Sequence, residues 1–329
     1  MNFAFAGTPD FAAWTLDHRA ARGRRPCLVI SPPDRPRGRG RRATAPPAAV
    51  AAARLGVPLI QPDDINDAAV LEHLRASGAN ALVVASFGQI LRGRLLDAIL
   101  CLNIHASLLP AYRGAAPIER ALAAGEDHTG VTIIRITERL DSGPWALKTS
   151  LSLSLRDDAG SVRRALAFLG AQGVDQVLTG LQDDTVVWTE QEGEAVYAEK
   201  LAAADCVLDP LRSARAVHDQ VRALSPRVGV RVASGGVQFK VWRTWPYGQP
   251  GLADAPIEAG SVAGRPGQLM AGSRRLFVGC GEGLVELLSV QPVGKNIMGA
   301  AAFLRGYRRK LSDRLDPVAE TCGPLADEG

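Results

Sequence analysis

Short apolar runs alternate with amphipathic stretches through the first half of the chain. The apolar runs predict buried strands, and the stretches between them, with apolar positions three or four residues apart, predict helices. The predicted strands are residues 2–6, 27–31, 58–60, 80–85, 99–105 and 131–137, and the predicted helices are residues 11–22, 48–55, 67–77, 115–123 and 159–181. Strands that alternate with helices predict a doubly wound α/β sheet.

A glycine turn at residues 7–10 joins the first predicted strand to the first predicted helix. The turn lacks the full GxGxxG pattern, so it gives only weak support for a dinucleotide site. A turn of this kind serves equally well for packing or for another ligand at the N-terminus of the helix. Both alternatives stay open at the level of the sequence.

The pattern changes in the second half of the chain. Residues 211–224 predict one amphipathic helix, and short strands with Gly-rich turns follow at residues 228–233, 237–242, 260–263, 275–278 and 284–290. Several short strands of this kind predict a small barrel. We therefore expect an N-terminal domain over residues 1–189, a linker over residues 190–206, a C-terminal domain over residues 207–312 and a disordered tail over residues 313–329.

The composition is that of an ordinary globular protein. The chain has 329 residues, 47% of them hydrophobic and 22% charged, with a net charge of +4 and a pI near 8.9. This mild basicity indicates that contact with a polyanion depends on local clusters of charge. The five cysteines are widely spaced without a CxxC pair, which argues against a disulfide framework and against a zinc site. Without a signal-peptide pattern or a long apolar run, we expect a cytoplasmic protein with no membrane segment.

The chemistry of the chain centres on residues 101–116, CLNIHASLLPAYRGAA. Residues two apart in a strand point to the same side, so Asn103 and His105 share a face while Ile104 points into the core. An amide donor beside an imidazole is suited to stabilising an oxyanion and moving a proton. The alternative is a buried strand whose polar end residues are held by loop backbone.

A second unusual stretch is the loop at residues 32–47, PPDRPRGRGRRATAPP. Its prolines and glycines disfavour helix and strand. It contains a single acid, Asp34, and five arginines, which are Arg35, Arg37, Arg39, Arg41 and Arg42. One interpretation is a solvated, mobile tip. The other, which we favour because the arginines repel each other without an anion, is an arm that binds RNA phosphates.

Seven motifs together indicate a family. They are FAGTPDFA at residues 5–12, PDRPRGRGRR at 33–42, FGQIL at 87–91, SLLPAYRGAAPI at 107–118, LDSG at 140–143, YAEKL at 197–201 and QPVGKNIM at 291–298. With Asn103 and His105, they resemble the formyltetrahydrofolate-dependent formyltransferases, and in particular the methionyl-tRNA formyltransferases. The motifs occur in the order of that family and span nearly the whole chain.

The resemblance implies a Rossmann-like formyltransferase domain followed by a C-terminal OB-like β-barrel domain that binds tRNA. It implies transfer of the formyl group of (6S)-10-formyltetrahydrofolate to the α-amino group of methionyl initiator tRNA, with release of tetrahydrofolate. No metal is required by this chemistry, and no His/Cys/Asp cluster offers a site for one. Nothing in the sequence suggests an obligate partner, so we expect a monomer.

The resemblance also assigns roles to residues. The catalytic group falls on Asn103, His105 and Asp141. The folate-binding residues fall on Ser86, Phe87, Gly88, Gln89, Ile90, Leu91, Ile136, Thr137 and Leu140. The substrate loop falls on Ser107, Leu108, Leu109, Pro110, Tyr112, Arg113 and Gly114. The tRNA-binding residues fall on Arg35, Arg37, Arg39, Arg41 and Arg42.

The chemistry of formyl transfer fits these roles. Attack of an amine on a formyl carbon builds an oxyanion, to which Asn103 can donate amide hydrogens. His105 either stabilises that charge when protonated or takes the amine proton when neutral, and the sequence leaves both open. Asp141 would orient His105 and favour its charged form, and it could relay a proton through water to the folate nitrogen. Its plainer alternative is a loop aspartate that caps its own backbone.

Three features depart from the family pattern. Arg139 stands where glycine is usual, Pro144-Trp145 replaces a polar pair, and residues 225–228, SPRV, replace an Asn-Pro-Trp-Pro-like corner. Two other functions compete with the first. One is formyl transfer to an amino sugar nucleotide, which the arginine loop and the basic residues near 305–310 disfavour. The other is nucleotide or RNA binding without chemistry, which the pairing of Asn103 with His105 disfavours.

Overall fold

The computed structural model describes residues 1–37 and 42–318. Separate hydrophobic clusters, two in each part, divide these residues into an N-terminal α/β domain and a C-terminal domain built on an antiparallel sheet. The fold class predicted from the sequence is therefore confirmed.

The N-terminal part of the chain contains the predicted strands and helices, together with elements that were not predicted, of which the longest is a strand over residues 145–152. Its strands are β1 (Phe3–Gly7), β2 (Leu28–Ile30), β3 (Arg35–Arg37), β4 (Arg42–Thr44), β5 (Leu59–Ile60), β6 (Ala81–Ala85), β7 (Leu100–His105), β8 (Arg113–Gly114), β9 (His128–Arg135), β10 (Trp145–Ser152) and β11 (Tyr197–Ala198). Its helices are α1 (Asp10–Ala21), α2 (Pro47–Leu55), α3 (Ala68–Ala76), α4 (Arg94–Ala98), α5 (Pro117–Ala124) and α6 (Ala159–Gln182).

Seven of these strands form the central sheet, in the order β10-β9-β7-β6-β1-β2-β5. The five strands β5, β2, β1, β6 and β7 run parallel to one another. At the other edge, β9 pairs antiparallel with β7, and β10 pairs antiparallel with β9. Every residue of β1 and β6 is buried, as expected of parallel strands covered by helices on both faces. Ligand sites of such sheets lie beyond the carboxyl ends of the strands, which here include the end of β7.

The glycine turn after β1 is used for close packing. A Cβ atom at Gly7 would lie 2.9 Å from the ring of Phe5 and 3.0 Å from the carbonyl oxygen of Ala85. The next residue, Thr8, donates its backbone N–H to the carbonyl oxygen of Ser86 at 3.2 Å. The turn therefore brings the start of α1 against the end of β6, which accounts for its glycine without a dinucleotide.

The arginine loop contains more regular structure than its prolines and glycines predict. Strands β3 and β4 pair antiparallel, with Arg35 opposite Thr44, Pro36 opposite Ala43 and Arg37 opposite Arg42. The expectation of a loop without strand is wrong for these two segments. Pro36 has no N–H to donate, and a strand at the edge of a sheet tolerates such a residue. Arg39 and Arg41 lie outside the described residues, as do the side chains of Arg37 and Arg42.

The C-terminal domain is an antiparallel, curled, OB-like sheet. One helix precedes its strands in the chain and another follows them. Its strands are β12 (Val230–Ser234), β13 (Val237–Tyr247), β14 (Leu269–Ala271), β15 (Leu276–Gly279), β16 (Leu284–Pro292) and β17 (Met298–Gly299), and its helices are α7 (Ala214–Ala223) and α8 (Ala300–Tyr307). The register between β13 and β16 shifts on both sides of Arg243, and such irregularities bend a sheet. Residues 260–263 form a turn where a strand was predicted, and β14 was not predicted.

Three 3₁₀ turns complete the regular structure of the described residues, at Ala204–Cys206, Ile257–Ala259 and Arg308–Lys310. The start of the predicted tail is held against the C-terminal domain, since Leu315 donates its N–H to Gly267 at 2.8 Å and Asp316 donates to Ala233 at 2.8 Å. Residues 313–318 thus differ from the expected disorder, and residues 319–329 lie outside the described part of the chain.

Helix α7 joins the two domains by packing against α5. Its buried Arg222 donates to the carbonyl oxygen of Ser154 at 3.1 Å and to Asp219 at 2.7 Å, and its His218 contacts the carbonyl oxygen of Leu155 at 2.8 Å. The predicted linker is attached as well, because Arg120 of α5 forms two hydrogen bonds of 2.9 Å with Asp205. These contacts fix the C-terminal domain beside the helix that follows the substrate loop.

Candidate active site

Asn103 and His105 lie at the carboxyl end of β7, in the middle of the sheet edge where ligands are expected. Asn103 is paired with Val84 of β6 on one side and with Ile134 of β9 on the other. Ser86 follows β6 at the carboxyl end of β7. Ile136 follows the antiparallel strand β9 and donates its N–H to the carbonyl oxygen of Cys101 at 2.8 Å. Asn103 is half-buried and His105 is 5% exposed, while Ile104 between them belongs to the core on the opposite face. The predicted alternation of β7 is confirmed.

Cys101 lies on the same face of β7 as Asn103 but plays a different part. Its side chain packs in the apolar cluster beneath the site, and burial raises the pKa of its thiol to about 12. A thiol that keeps its proton is a poor nucleophile. Cys101 therefore contributes packing to this face and no nucleophilic chemistry.

Asp141 lies against both polar residues of β7. Its Oδ1 accepts a hydrogen bond from Nδ2 of Asn103 at 3.2 Å, and its Oδ2 lies 3.6 Å from Nδ1 of His105. The backbone N–H of Gly114 donates to Oδ2 at 3.0 Å, so the carboxylate also reaches the substrate loop. Asn103, His105 and Gly114 thus meet around the carboxylate of a residue that lies at least 27 positions further along the chain, and its side chain is only 10% exposed.

The backbone of Asp141 is in the left-handed region, with φ of +48°. This conformation is uncommon for residues other than glycine, although aspartate tolerates it better than most. Ser86 and Tyr112, with φ of +46° and +60°, have the same conformation at two other segments of the site. Strained backbone is known to cluster where a fold positions functional groups.

The two nitrogens of His105 face oxygen atoms that accept hydrogen bonds. Nε2 lies 2.8 Å from the carbonyl oxygen of Tyr112, and because a carbonyl oxygen only accepts, Nε2 carries the hydrogen. Nδ1 faces the carboxylate of Asp141. Nδ1 is therefore the ring nitrogen that has a carboxylate, that of Asp141, within 3.6 Å.

The predicted substrate loop, residues 107–114, is tied to the sheet by hydrogen bonds. The hydroxyl of Ser107 donates to the carbonyl oxygen of Ala111 at 2.5 Å, and the hydroxyl of Thr132 on β9 donates to Ser107 at 2.7 Å while accepting from the N–H of Leu109 at 3.1 Å. The side chain of Leu108 packs closely over Gly130 of β9. The loop thus has a fixed shape in front of His105.

Further contacts hold the outer part of the same loop. Lys148 of β10 donates to the carbonyl oxygen of Leu109 at 2.6 Å and lies over the ring of Trp145 at 4.6 Å. Partial burial lowers the pKa of Lys148. Tyr112 donates its hydroxyl to Glu126 at 2.6 Å, and burial together with that carboxylate raises the pKa of the phenol. Pro110, which lies between Leu109 and Tyr112 in the chain, is half-buried.

The predicted folate-side residues divide into exposed and supporting ones. Ser86, Gly88, Ile90, Thr137 and Leu140 are exposed, with the apolar side chains of Ile90 and Leu140 at 66% and 61%. Phe87 and Ile136 are half-buried against the apolar cluster that contains Cys101. Two exposed apolar side chains beside polar backbone offer walls for a flat, partly apolar ligand.

Two members of the predicted folate set have structural contacts of their own. Leu91 is 5% exposed and lies in the core. Gln89 accepts from the N–H of Ile65 at 2.6 Å and donates to the carbonyl oxygen of Asp63 at 2.9 Å. Both residues therefore support the shape of the segment from Ser86 to Ile90.

The arginine loop is the part of the predicted site that is least connected to these residues. Arg35 is exposed on β3, and only the backbone of Arg37 and Arg42 is described. Arg39 and Arg41 fall outside the described residues. The assignment of these five arginines to tRNA stays a prediction.

Sequence reasoning did not single out two side chains that contact the site. Lys148 supports the substrate loop, and Gln191 contacts both Arg113 and the loop that carries Asp141. Lys148 is one polar residue in an alternating strand, and Gln191 is one of several polar residues in a segment without periodicity. Neither position has a local signal that distinguishes it from an ordinary surface residue.

Within residues 1–37 and 42–318, no group of three or more His, Cys, Asp or Glu side chains is placed to hold a metal ion. In the same part of the chain, no helix has the length and apolar character needed to cross a membrane.

Comparisons with known proteins identify the family of this chain. A model of the formyl transferase family matches residues 1–178, and a model of the formyl transferase C-terminal domain matches residues 200–308. Fold and sequence together therefore define a formyltransferase of two domains, and the chain belongs to the formyl transferase family.

Relatives over the full length place the chain more narrowly. It is 46% identical over 312 residues to the methionyl-tRNA formyltransferase of Rubrobacter xylanophilus, covering 93% of this chain and 97% of that protein. It is 38% identical over 310 residues to the methionyl-tRNA formyltransferase of Methylococcus capsulatus, with coverage of 93% and 97%. Within its family, the chain groups with the methionyl-tRNA formyltransferases.

Solved structures share the fold at low sequence identity. HypX from Aquifex aeolicus in complex with tetrahydrofolic acid has a TM-score of 0.64 and 15% identity, over 97% of this chain and 49% of that chain. The N-formyltransferase from Helicobacter canadensis, in complex with folinic acid and dTDP-3-aminofucose, has a TM-score of 0.63 and 12% identity, over 89% of this chain and 99% of that chain. At these identities the likeness concerns the fold alone.

Proposed function

We propose that this protein transfers the formyl group of 10-formyltetrahydrofolate to the α-amino group of methionyl initiator tRNA. The observation that carries the proposal is the meeting of Asn103, His105 and Asp141 at the end of β7. The match to methionyl-tRNA formyltransferases over nearly the full chain supports the choice of acceptor. The family match and the tetrahydrofolate complex of HypX support the choice of donor.

Asn103 would stabilise the charge that develops on the formyl oxygen. The neutral amine attacks the formyl carbon, a new C–N bond forms, and the carbonyl double bond opens to an oxyanion. The Asn103 amide has two hydrogens, of which one is donated to Asp141, so the second is available to the oxyanion. Removal of such a donor from an oxyanion site typically costs about 3 kcal/mol of transition-state stabilisation.

His105 and Asp141 would take the proton that the attacking nitrogen must lose. Nε2 of His105 already carries a hydrogen that it donates to Tyr112, so Nδ1 is the nitrogen that can accept a proton. The resulting cation would be stabilised by the Asp141 carboxylate beside it. When the bond between the formyl carbon and the folate nitrogen breaks, the same proton can return through Asp141 and water to that nitrogen. The proton count then balances without an additional acid.

The two substrates would approach this centre from opposite sides. The exposed side chains of Ile90 and Leu140 and the backbone around Ser86 and Thr137 would contact the folate. The anchored loop from Ser107 to Gly114 would support the aminoacyl end of the tRNA. The arginines from Arg35 to Arg42 would contact its phosphates.

The direct test measures formylation with two kinds of acceptor. Purified protein with 10-formyltetrahydrofolate should formylate methionyl initiator tRNA, and an amino sugar nucleotide should remain unmodified under the same conditions. Formylation of the sugar nucleotide, with none of the tRNA, would overturn the proposal. His105→Ala and Asp141→Asn should abolish turnover while leaving tRNA binding largely intact, and Asp184→Asn provides a control at an exposed aspartate that also has a positive φ.

We also propose that the protein is a monomer and that it acts in the cytoplasm. Cys27, Cys101 and Cys280 have free thiols, which suits a reducing compartment. Light scattering during gel filtration should give the mass of one chain, 34.8 kDa. A mass twice that value at micromolar concentration would contradict the monomer. Fractionation of cells should place the protein with the soluble cytoplasmic enzymes.

A further inference from the structure

Gln191 bridges two loops of the candidate active site. Its Nε2 donates to the carbonyl oxygens of Asp141 and Gly143, both at 2.8 Å. Its Oε1 accepts from Nε and Nη2 of Arg113 at 3.2 and 2.7 Å. One half-buried side chain thus connects the loop that carries Asp141 with the substrate loop.

Only one orientation of the Gln191 amide satisfies these contacts. Carbonyl oxygens only accept hydrogen bonds and a guanidinium only donates them. If the amide were turned over, its oxygen would face two carbonyl oxygens and its nitrogen would face two donors. The four contacts therefore determine both the position and the orientation of the amide, and they leave it little freedom to act elsewhere.

The part of the chain that contains Gln191 is fixed to the catalytic domain on both sides of that residue. Before it, Thr189 and Trp145 exchange two backbone hydrogen bonds of 2.8 and 2.9 Å. After it, β11 pairs in parallel with β8, so that Tyr197 lies opposite Arg113. The segment that leads to the C-terminal domain is therefore built into the wall of the site. Gln191 is its only side chain, within the described residues, for which hydrogen bonds to the Asp141 loop are observed.

Gln191 contacts the backbone at Asp141, which is in the unfavourable left-handed conformation. Asp141 has a φ of +48°, which an aspartate adopts at some cost in free energy. Two hydrogen bonds to the carbonyl oxygens of Asp141 and Gly143 stabilise the turn in which that conformation occurs. The carboxylate of Asp141 is then held within reach of Asn103, Gly114 and His105.

We propose that Gln191 is a positioning residue for Asp141, and that through it the interdomain segment forms part of the active site. The inference rests on the proposed function, because it assigns Gln191 a role in that same reaction. Gln191 has no contact with the reacting atoms in this role. It acts by holding the Asp141 carboxylate where Asn103 and His105 can use it.

Two variants separate the contacts of Gln191. Gln191→Met keeps the length of the side chain and removes all four hydrogen bonds. Gln191→Glu keeps an acceptor for Arg113 but replaces the donors with an oxygen that faces two carbonyl oxygens. Small displacements of a catalytic group typically lower the rate by about 10- to 100-fold. We expect both variants to lower kcat by about that factor, with KM for each substrate within about twofold of the wild-type value.

Gln220 offers a matched control elsewhere in the molecule. Its Nε2 also donates to two carbonyl oxygens at 2.8 Å, those of Asp205 and Val207, where α7 meets the end of the linker. Gln220→Met should lower the melting temperature at least as much as Gln191→Met and leave kcat unchanged. Equal losses of kcat in the two variants would show a general loosening of the domains and would overturn the inference. Full kcat in Gln191→Glu would overturn it as well, because the donors would then have no role.

Hydrogen exchange provides a readout that does not depend on activity. The N–H of Gly114 donates to the carboxylate of Asp141, whereas the N–H of the next residue, Ala115, donates to the carbonyl oxygen of Ala198 at 2.9 Å. In Gln191→Met the Gly114 amide should exchange at least tenfold faster, while exchange at Ala115 changes little. Unchanged exchange at Gly114 would overturn the inference. If the wild-type protein fails to formylate methionyl-tRNA, the proposed function fails, and the exchange experiment still decides whether Gln191 positions Asp141.

Discussion

Nδ2 of Asn103 lies 3.2 Å from Oδ1 of Asp141, although 38 residues separate the two in the chain. The hydrogen bond joins the end of β7 to a turn after β9 and uses one of the two amide hydrogens of Asn103. It leaves the other hydrogen for a ligand and determines which way the amide points. The relationship explains how a short strand end presents an oriented donor.

Replacement of Asn103 by alanine should lower kcat by about 10²- to 10³-fold, because it removes a donor directed at the developing oxyanion. Affinity for tRNA should remain within about twofold, since the oxyanion is absent from the bound ground state. Steady-state kinetics and a filter-binding assay measure the two quantities. Asn80→Ala, at an exposed asparagine before β6, is the control and should behave as wild type. If kcat of Asn103→Ala falls by less than threefold, Asn103 does not stabilise the oxyanion.

Simultaneous replacement of Arg39, Arg41 and Arg42 by alanine should weaken tRNA binding and flatten its dependence on salt. For every arginine that no longer neutralises a phosphate, the slope of log K against log salt should fall by about 0.7 to 0.9, so the triple variant should reduce it by about 2 to 3. Binding titrations at several salt concentrations measure the slope.

A control triple variant keeps the same change in net charge. Arg24, Arg25 and Arg75 are exposed and lie near the amino ends of β2 and β6, at the edge of the sheet opposite the site. Their replacement by alanine should leave the slope unchanged. Equal slopes for the two triple variants would indicate that the arginine loop is a solvated tip that does not contact tRNA phosphates.

Gly114→Ala should disrupt the connection between the substrate loop and β11. Gly114 has a φ of +118°, and a Cβ atom there would lie 2.8 Å from the carbonyl oxygen of Ala198. Gly23→Ala is a matched control, because Gly23 has a φ of +74° with nothing within 4 Å of the added atom. The control should lose about 1 kcal/mol of unfolding free energy from backbone strain alone. Gly114→Ala should lose clearly more in urea unfolding and should also lower kcat, and equal losses would argue against the close approach of the two backbones.

His218 should make the stability of the protein depend on pH. Burial between the domains lowers its pKa below the ordinary 6.5. The hydrogen bond to the carbonyl oxygen of Leu155 and the charge of Asp219 oppose the shift, and Arg222 and Arg215 add to it. Below pH 6.5 the unfolded chain binds a proton that folded His218 does not. Its contribution to stability is therefore complete above pH 6.5 and decreases as the pH falls, by at most about 1.4 kcal/mol per pH unit.

Urea unfolding at pH 7.5 and pH 5.5 measures this effect. His218→Gln should reduce the difference in unfolding free energy between the two pH values, because glutamine does not titrate. His73→Gln, at an exposed histidine of α3, should leave the difference as it is in the wild type. The same pH dependence in all three proteins would assign the effect to other groups.

Much of the N-terminal fold could be predicted from local patterns. The buried runs of β1 and β6 leave a clear apolar signal, and the period of two in β7 places Asn103 and His105 on one face. The motifs around Asp141 and Tyr197 identify the family in the same way, because they are short and contiguous. The C-terminal strands were harder to predict, since short strands between glycine turns have few residues from which to read a period. For that reason residues 260–263 were wrongly expected to form a strand and β14 was missed.

The family, the residue types available for chemistry and most of the N-terminal elements follow from the sequence alone, because these depend on contiguous patterns. The folded chain is needed to show that Asp141 accepts from Asn103 and Gly114, and that Gln191 holds its backbone from 50 residues away. Contacts between distant segments leave no periodic trace in either segment. The geometry of the site is therefore a property of the folded sheet and its loops.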